Sequence, residues 1–435
     1  MTTTVYPIPE NHPQRFVLHN EVHARSPIIS GLPVRASHLA LSCSQDEKTL
    51  ERKHLIQLCE RFGVPTPASD ADHFSATLGT FQIRWEQHGE FSTYTFYVEG
   101  AEDRLFNDPA LKKVPVDWLS ALNGRILVAA HASIIPTQFE EIVKLDDITD
   151  IANRAFAGNP LVGAIVTGGA AHVFTDFRIH VDGFSRFLII NRDLRVGQGA
   201  RLLHRLFEIE VYRVLSLLAF PIARKLYPEL KKADQRLHAI TTEMTKHNDD
   251  DGKLLDELIA LAAEIENHVS SNHVRFTAAN AYYHLVEQRL FDLRETRIQG
   301  IQTIGEFMKR RLEPAIHTCR STSNRLTSLS ERVGNAAQLL RSRVDIIIER
   351  QNQELLSSME LRAKMQLRMQ QMVESISIVA ITYYAASLVH AIAQAIAELG
   401  WQINPEIAEG ASVPFILLAI YASFKRVHRI IKNMA

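Results

Sequence analysis

The stretch VESISIVAITYYAASLVHAIAQAIA, residues 373–397, decides the fold of this chain, because its only formal charge is Glu374 at the edge. A helix of this length, rising roughly 1.5 Å per residue, spans the ~30 Å hydrocarbon core of a bilayer. A polar interval, ELGWQINPEIAEG, follows. The next apolar run, ASVPFILLAIYASF over residues 411–424, reaches spanning length if its helix begins near Pro405, a favourable first-turn residue. The two runs predict a C-terminal two-helix transmembrane hairpin with spans at about 373–397 and 405–424.

Charged residues around the hairpin predict its orientation. Bases lie on both outer flanks and only acids lie in the connecting interval: Arg362, Lys364 and Arg368 before the spans, Lys425, Arg426, Arg429 and Lys432 after them, and Glu398, Glu406 and Glu409 between them. By the positive-inside rule, both ends lie in the cytoplasm and the lipid bilayer is a partner. The alternative is an apolar hairpin buried in a large soluble protein, which has no need of basic flanks and an acidic turn.

Composition limits what the rest of the chain does. Its 435 residues are enough for two or three domains, and 46% hydrophobic residues can build a sizeable core. The net charge of -1 argues against a nucleic-acid partner. Cys43, Cys59 and Cys319 lack paired spacing, so neither disulfides nor a zinc site are indicated, and no cofactor is expected. The first residues, MTTTVYPIPENHPQRF, lack the apolar segment of a signal peptide, so the chain before residue 373 is expected to stay in the cytoplasm.

Residues 1–195 predict a cytoplasmic α+β domain, because short β-like runs alternate with turns and a few helices. A helix is expected to begin at Asp46 as its N-cap and to stop at Gly63. Thr167-Gly168-Gly169 lacks the lysine and hydroxyl of a phosphate loop and predicts a hairpin turn. Strands are expected at residues 35–43, 80–87, 91–99, 125–135, 162–167, 171–178 and 186–191, and a second helix from Thr137.

Residues 196–372 predict a helical stalk. Interruptions are expected at Pro221, Pro228, residues 248–252, residues 270–272 and Pro314. From Thr318 onward apolar residues recur at steps of three and four: Leu326, Leu329, Val333, Ala336, Leu340, Val344, Ile347, Ile348, Leu355 and Met359. Two or more helices are therefore expected to pack along their long sides. The pattern drifts from a strict heptad, which favours antiparallel bundle packing over a simple dimeric coiled coil.

The densest polar cluster is HNEVHAR, residues 19–25. On a helix, His19 and His23 share one face, and with Glu21 they are candidate metal ligands. Prolines bound the segment on both sides and its inner residues do not match a zinc-protease motif, so capping or buried histidines are the alternative.

A second polar cluster is AHVFTDFRIHVD, residues 171–182. On a strand, one face carries His172, Asp176, Arg178, His180 and Asp182. A carboxylate, an arginine and imidazoles on one face are the elements of an acid–base site. A solvated sheet face, or a salt-bridged contact with the stalk, is the alternative.

A third set lies in the first predicted span. Tyr383, Ser387, His390 and Gln394 follow steps of four, three and four, so they form a polar stripe on one helix face. Polar groups are costly in hydrocarbon, so the stripe is expected to face away from lipid. It either packs on the second span or, if several copies converge on an axis, places His390 along a polar path.

Four segments together resemble a bacterial family of predicted membrane-anchored proteins of unknown function: HNEVHAR, TDFRIHVDGFSRFLI, RLLHRLFEIEVYRVLSLLAFPIAR and RSRVDIIIERQNQELLSSMELRAKMQLRMQQMVESISIVAITYY. The resemblance covers essentially the whole chain. It implies an inner-membrane location and no known activity.

The order of α/β domain, helical stalk and two C-terminal spans is also similar to the CorA magnesium channel superfamily. That resemblance implies a homo-oligomer around a pore. The Gly-Met-Asn filter of the superfamily is absent, since the first span ends Ala397-Glu398-Leu399-Gly400-Trp401. Three functions follow: a membrane-anchored protein whose head and stalk self-associate or bind a partner, which is favoured; a CorA-like channel or transporter; and a membrane-tethered enzyme.

Overall fold

The structure, a computed structural model, describes residues 11–15, 18, 29–69, 71–102, 104–137, 148–246, 250–400 and 404–434, with only the backbone of residues 45 and 427–434. The chain divides into two compact units, Met1–Ala337 and Gln338–Ala435. The proposed metal ligands His19, Glu21 and His23 lie outside the described residues.

The first unit is built on a nine-stranded sheet. The strands of the described residues are β1 (Val34–Ser42), β2 (His73–Leu78), β3 (Phe81–Gln87), β4 (Phe91–Glu99), β5 (Arg125–Pro136), β6 (Val162–Val166), β7 (Ala171–Thr175), β8 (Ser185–Asn191) and β9 (Thr296–Arg297). Their order across the sheet is β2-β3-β4-β1-β5-β8-β7-β6-β9. The β5–β8 pair is parallel and the other pairs are antiparallel. The sheet is therefore mixed but mostly antiparallel, which is consistent with the α+β class.

The helices that the structure describes are α1 (Gln45–Phe62), α2 (Val116–Ser120), α3 (Ile148–Phe156), α4 (Val196–Leu217), α5 (Phe220–Met244), α6 (Asp251–Leu293), α7 (Ile304–Arg311), α8 (Glu313–Glu398) and α9 (Pro405–Met434). Helix α8 alone has 86 residues and belongs to both units.

One face of the sheet is covered by α4, α6 and α7. Side chains from alternate strand positions, such as Ala36, Ile134 and Ile189, share a buried cluster with Leu203 and Phe207 of α4. The other two helices enter the same cluster through Tyr283, Val286, Leu293, Ile304 and Met308. Each large apolar side chain buried in this way contributes roughly 1.5–3 kcal/mol. Helices from the predicted stalk thus complete the core of the sheet.

The opposite face is covered by α1, α2 and α3. Near one edge of the sheet, Trp85 and Phe96 pack with Leu55 of α1 and Trp118 of α2. Near the other edge, a separate cluster joins α3 to strands β7 and β8. The sheet is consequently buried on both faces.

Most expected strands are present, within one or two residues of their predicted ends. The hairpin of β3 and β4 is confirmed, and so is the turn between β6 and β7, where Gly168 and Gly169 take positive φ of 69° and 98°. Helix α1 stops at Gly63, as expected, but its N-cap is Ser44 and the prediction of Asp46 was wrong. Residues 138–147, which follow Thr137 in the helix expected from that residue, lie outside the described residues.

The predicted strand over residues 171–178 is corrected to β7, which ends at Thr175. Phe177 has a φ of 52°, a left-handed conformation that no strand continues. Residues 176–184 form a loop instead. His172, Asp176, Arg178, His180 and Asp182 therefore do not share a strand face.

In the helical part of the chain, only some of the predicted interruptions are present. A break precedes Pro221 and α8 begins at Glu313, next to Pro314. Pro228 lies inside α5, and residues 270–272 lie inside α6, so neither interrupts a helix.

The second unit contains the C-terminal part of α8 and all of α9. Its two helices contain windows of mean hydropathy 1.7 and 1.6, and both are long and apolar enough to cross a bilayer. Helix α9 begins at Pro405, as the sequence predicts.

Candidate functional site

A cavity of about 210 Å³ lies between the sheet and α4, and we call it the α4 pocket. Its lining comes from β1, β3, β4, the β3–β4 turn, α4 and α6: His38, Glu86, His88, Phe91, Thr93, His204, Phe207, Glu208, Val211, Tyr212 and Arg289. Eight of these eleven side chains are polar or charged, and only Phe91, Phe207 and Val211 are apolar. Small-molecule sites use convergent polar groups to fix the orientation of the ligand, and this cavity is richer in such groups than a typical site.

Strand register brings the polar side chains of the sheet together. Arg84 and Glu86 lie two residues apart on β3, opposite Thr95 and Thr93 of β4. On the other side of β4, Thr95 is opposite His38 of β1. Because successive residues of a strand alternate between faces, all five side chains point to the face that α4 covers.

Helix α4 supplies the other wall at four-residue steps. His204, Glu208 and Tyr212 lie on one stripe of a helix that is otherwise largely apolar on its buried side. The Glu208 carboxylate accepts hydrogen bonds from Nε and Nη2 of Arg289, at 2.6 and 3.0 Å, and so links α4 to α6. The Tyr212 hydroxyl lies 3.4 Å from the same carboxylate.

Two ion pairs balance the charge of the pocket. Arg84 and Glu86 are 2.7 Å apart, with side chains only 5% and 8% exposed. Burial is the largest single effect and disfavours the ionised carboxyl, but the hydrogen bond from Arg84 and the attraction of nearby positive charge together outweigh it. The pKa of Glu86 is therefore below its ordinary value. Glu208 and Arg289 form the second pair. The pocket therefore has paired charges and little net charge.

Burial lowers the pKa of two imidazoles of the pocket, those of His38 and His204. Burial, with a smaller contribution from nearby His204, lowers the pKa of His38 to about 3. Burial likewise lowers the pKa of His204. His38 stacks on Phe207, with ring centroids 4.6 Å apart, and its Nδ1 lies 2.8 Å from Thr95 Oγ1. Its buried Nε2 has no hydrogen-bond partner among the described residues.

This arrangement can hold a small uncharged polar molecule. Neutral imidazoles donate or accept hydrogen bonds, and an imidazole beside a carboxylate is suited to proton transfer. Among the described residues, no group of three histidines, cysteines or carboxylates is placed to hold a metal ion. The pocket is therefore a candidate site for hydrogen-bonded recognition, with general acid–base chemistry as its chemical capacity.

The predicted residues of the 171–182 segment lie elsewhere. Asp176 is 3.0 Å from His180 Nε2 and accepts a hydrogen bond from Asn159 at 2.8 Å. Asp182 pairs with Arg186 at 2.9 Å. The loop thus brings Asp176 and His180 together across a turn. No residue of the 171–182 segment lines the α4 pocket. His172 remains on β7, half-buried.

The four residues of the predicted polar stripe, which lie in the second unit, differ in their surroundings. His390 Nδ1 lies 2.8 Å from the Glu409 carboxylate of α9. Tyr383 is 68% exposed, and Ser387 and Gln394 are also exposed. The face of α8 that packs within this unit instead carries Thr382, Ala386 and Ala393.

Sequence reasoning missed the α4 pocket. Two signals were present: the charges of Arg84 and Glu86 inside an aromatic, β-branched strand, and the four-residue steps of His204, Glu208 and Tyr212 on an apolar helix. Neither signal identifies its partner, because the two segments are more than a hundred residues apart in the chain.

Comparison with known protein families shows where the chain belongs. A family model described as "Protein of unknown function (DUF3422)" matches residues 10–431. No curated protein and no solved structure matches the chain, so nothing further supports the similarity to the CorA superfamily.

Proposed function

The chain belongs to the DUF3422 family, whose activity is unknown, and we propose that it is a membrane-anchored protein that self-associates through α8. The observation that carries this proposal is the exposure of part of α8. This part follows the first compact unit (Met1–Ala337, here called the sheet unit) and precedes the two windows of high mean hydropathy in α8 and α9, here called the apolar windows. From residue 345 to residue 373 every residue except Ser358 is exposed.

The exposed stretch is too apolar to be a solvated helix. Ile348 is 50% exposed, Leu355 60% and Met359 58%. A single helix in water is marginally stable even when its sequence favours helix, and most helices in proteins are stabilised by packing of an apolar face. Large apolar side chains left open along a helix mark an interaction surface. A covering helix is therefore required for this part of α8.

We name a second copy of the chain as that covering partner. At about 100° per residue, Val344, Ile348, Leu355 and Met359 fall within a sector of about 60°. Identical stripes on two copies can pack against each other, which gives a homo-oligomer with closed symmetry. The bundle packing expected from the sequence for this stretch is thus proposed to form between chains.

The test compares two single charge substitutions on α8. Leu355→Glu places a carboxylate in the proposed contact, whereas Gln353→Glu adds the same charge about 160° away around the helix. In a neutral detergent, light scattering after size-exclusion chromatography should show oligomers for the wild type and Gln353→Glu, and a shift toward monomer for Leu355→Glu. A monomeric wild type overturns the proposal.

Membrane anchoring is proposed for the two apolar windows. Of the window in α9, none is buried inside the structure, and only 17% of the window in α8 is. A soluble core would bury both, so a bilayer is the environment that accounts for their apolar surface. The His390–Glu409 pair would join the two spans where unpaired polar groups are costly.

Anchoring and topology are tested together. The full chain is expected to remain with the bacterial inner membrane after an alkaline carbonate wash, with both termini in the cytoplasm because of the basic flanks. A reporter joined after Ala435 should be active only in its cytoplasmic form. Release by carbonate contradicts anchoring, and periplasmic activity contradicts the orientation.

A membrane-tethered enzyme is the second candidate, favoured by the neutral imidazoles and carboxylates of the α4 pocket. Its test is a comparison of wild type and His38→Gln across hydrolytic and isomerase substrate panels, where loss of one activity with unchanged membrane association supports catalysis. The CorA-like channel remains a prediction, for which a liposome flux assay with divalent cations is the test.

A further inference from the structure

A larger cavity, of about 650 Å³, lies on the edge of the sheet unit, and we call it the arginine cavity. It is formed by the start of β6, the loop after β7, the C-terminal end of α4, the 300–302 turn and α7. Three arginines line it: Arg178, Arg213 and Arg311. Two of the residues that the sequence singled out, Asp176 and Arg178, are in this lining.

The charge of the arginine cavity is only partly balanced. Arg213 is satisfied within α4, since its Nη2 and Nε donate to the Glu210 carboxylate at 2.7 and 3.0 Å. Arg178 Nη1 lies 3.5 Å from the amide oxygen of Asn159, a neutral group. Over the part of the chain that the structure describes, neither Arg178 nor Arg311 forms an ion pair with a carboxylate. Two guanidinium groups thus remain available at the cavity.

The one carboxylate of the lining is already engaged. Asp176 accepts hydrogen bonds from Asn159 Nδ2 at 2.8 Å and from the Arg178 backbone N–H at 3.2 Å, and it lies 3.0 Å from His180 Nε2. Its side chain is 0% exposed. Asp176 therefore shapes the loop that carries Arg178 and does not neutralise the open side of the cavity.

The floor of the cavity is apolar and aromatic. Phe177 stacks on Phe307 of α7, with ring centroids 4.9 Å apart, and the Arg213 guanidinium lies 5.5 Å from the Phe177 ring centre. Leu217 and Leu312 extend this surface. Phe177 is held at a φ of 52°, a left-handed conformation that is unfavourable for a bulky residue and that recurs at ligand sites. The loop keeps this ring at the cavity in spite of that cost.

We propose that the arginine cavity binds a small organic anion, a phosphate or carboxylate attached to an aromatic or apolar group. Guanidinium groups recognise both kinds of oxyanion through paired N–H donors. The phenylalanine floor supplies the apolar contact that a bare inorganic anion cannot use. This proposal does not depend on membrane anchoring or self-association.

The test is a calorimetric titration of the full chain in a neutral detergent. Phenyl phosphate is the probe, and inorganic phosphate and phenol are its two halves. Phenyl phosphate is expected to bind at least about ten-fold more tightly than either half. Dihexanoyl phosphatidate is titrated in parallel, because a lipid headgroup presents the same chemistry; the tighter of the two ligands identifies a soluble or a lipid source.

Matched arginine variants connect the binding to the cavity. Arg311→Gln is expected to weaken the binding of phenyl phosphate by about ten-fold or more, since it removes a hydrogen bond between two charged groups. Arg310→Gln removes a neighbouring exposed arginine outside the lining and should leave the affinity unchanged. Arg178→Gln should repeat the loss from a different element.

Three results overturn the proposal: no binding of phenyl phosphate or dihexanoyl phosphatidate, equal losses in the Arg310 and Arg311 variants, or no loss in either cavity variant. Arg178 and Arg311 are both exposed, so their variants should keep the wild-type unfolding temperature. That temperature is measured for each variant before titration.

Discussion

At the scale of single residues, His38 is a histidine that is buried as the neutral base. The pKa of His38 is lowered from its ordinary value of 6.5 to about 3, chiefly by burial. As the pH falls, the imidazole of His38 is therefore protonated in the unfolded chain at a higher pH than in the folded chain. The stabilisation of the folded state is fully present above pH 6.5 and is lost as the pH falls toward 3.

The first prediction concerns that pH dependence. Between pH 6 and pH 5, His38→Gln should reduce the pH dependence of the free energy of unfolding by about 1.4 kcal/mol per pH unit, the value for one proton. His238→Gln, a change at an exposed position of α5, is the control and should keep the wild-type dependence. Unfolding temperatures measured from pH 7 to pH 5 give the comparison. An unchanged dependence in His38→Gln would show that the imidazole is hydrated in the folded chain.

Individual site residues were less predictable than the fold. The sequence marks Asp176 and Arg178 as unusual, and the structure places both in the lining of the arginine cavity, although on a loop and not on a strand. The polar lining of the α4 pocket was not anticipated. Its members, such as His38, Glu86 and Arg289, lie on strands and helices far apart in the chain, and local patterns carry no information about such long-range pairing.

At the scale of secondary-structure elements, local capping chemistry decides where α1 begins. The Ser44 hydroxyl accepts from the Glu47 backbone N–H at 3.3 Å, and the Glu47 carboxylate accepts from the Ser44 N–H at 2.7 Å. This reciprocal pair is a capping box, and it places the N-cap two residues before Asp46.

The second prediction separates the two candidate caps. Ser44→Ala should destabilise the chain by about 1 kcal/mol, because it leaves an N–H group at the helix start without its partner. Asp46→Asn should cost only a few tenths of a kcal/mol, since it removes a favourable charge near the helix N-terminus and no cap. Chemical denaturation of both variants measures the difference. Equal losses would contradict the assignment of Ser44 as the cap.

The predicted helix interruptions show why residues that often end helices are an incomplete guide to where helices end. Ser270 and Asn272 turn their polar groups back onto carbonyls of the preceding helical turn, at 3.2 and 2.8 Å, so α6 continues through them. Pro228 is accommodated inside α5, where Leu226 and Leu230 on either side of it are buried. Burial of Leu226 and Leu230 in α5, and the hydrogen bonds of Ser270 and Asn272 in α6, offset the tendency of these residues to end a helix. The sequence alone does not show either effect.

At the scale of the whole molecule, the sheet and the helices after residue 195 share one core. Leu202, Leu203, Leu206 and Phe207 of α4 are all 1% exposed or less, and they belong to the same buried cluster as strands β1, β5 and β8. Strand β9 lies beyond α6 in the chain and completes the edge of the sheet beside β6. The predicted division at residue 195 therefore cuts through buried contacts, although it follows a real change in composition.

The third prediction tests this shared core with two truncations. A fragment ending at Gly199 keeps only the first four residues of α4 and lacks α6, α7 and β9, so one face of the sheet is exposed. It is expected to aggregate or to lack cooperative unfolding. A fragment ending at Ala337 keeps the first compact unit and omits both the exposed stretch of α8 and the apolar windows. It should be soluble without detergent, unfold cooperatively in calorimetry and remain monomeric, because the proposed self-association stripe begins at Val344.

A cooperative fragment ending at Gly199 would show that the sheet folds without α4. Oligomers of the fragment ending at Ala337 would place the association surface in the sheet unit and not on α8.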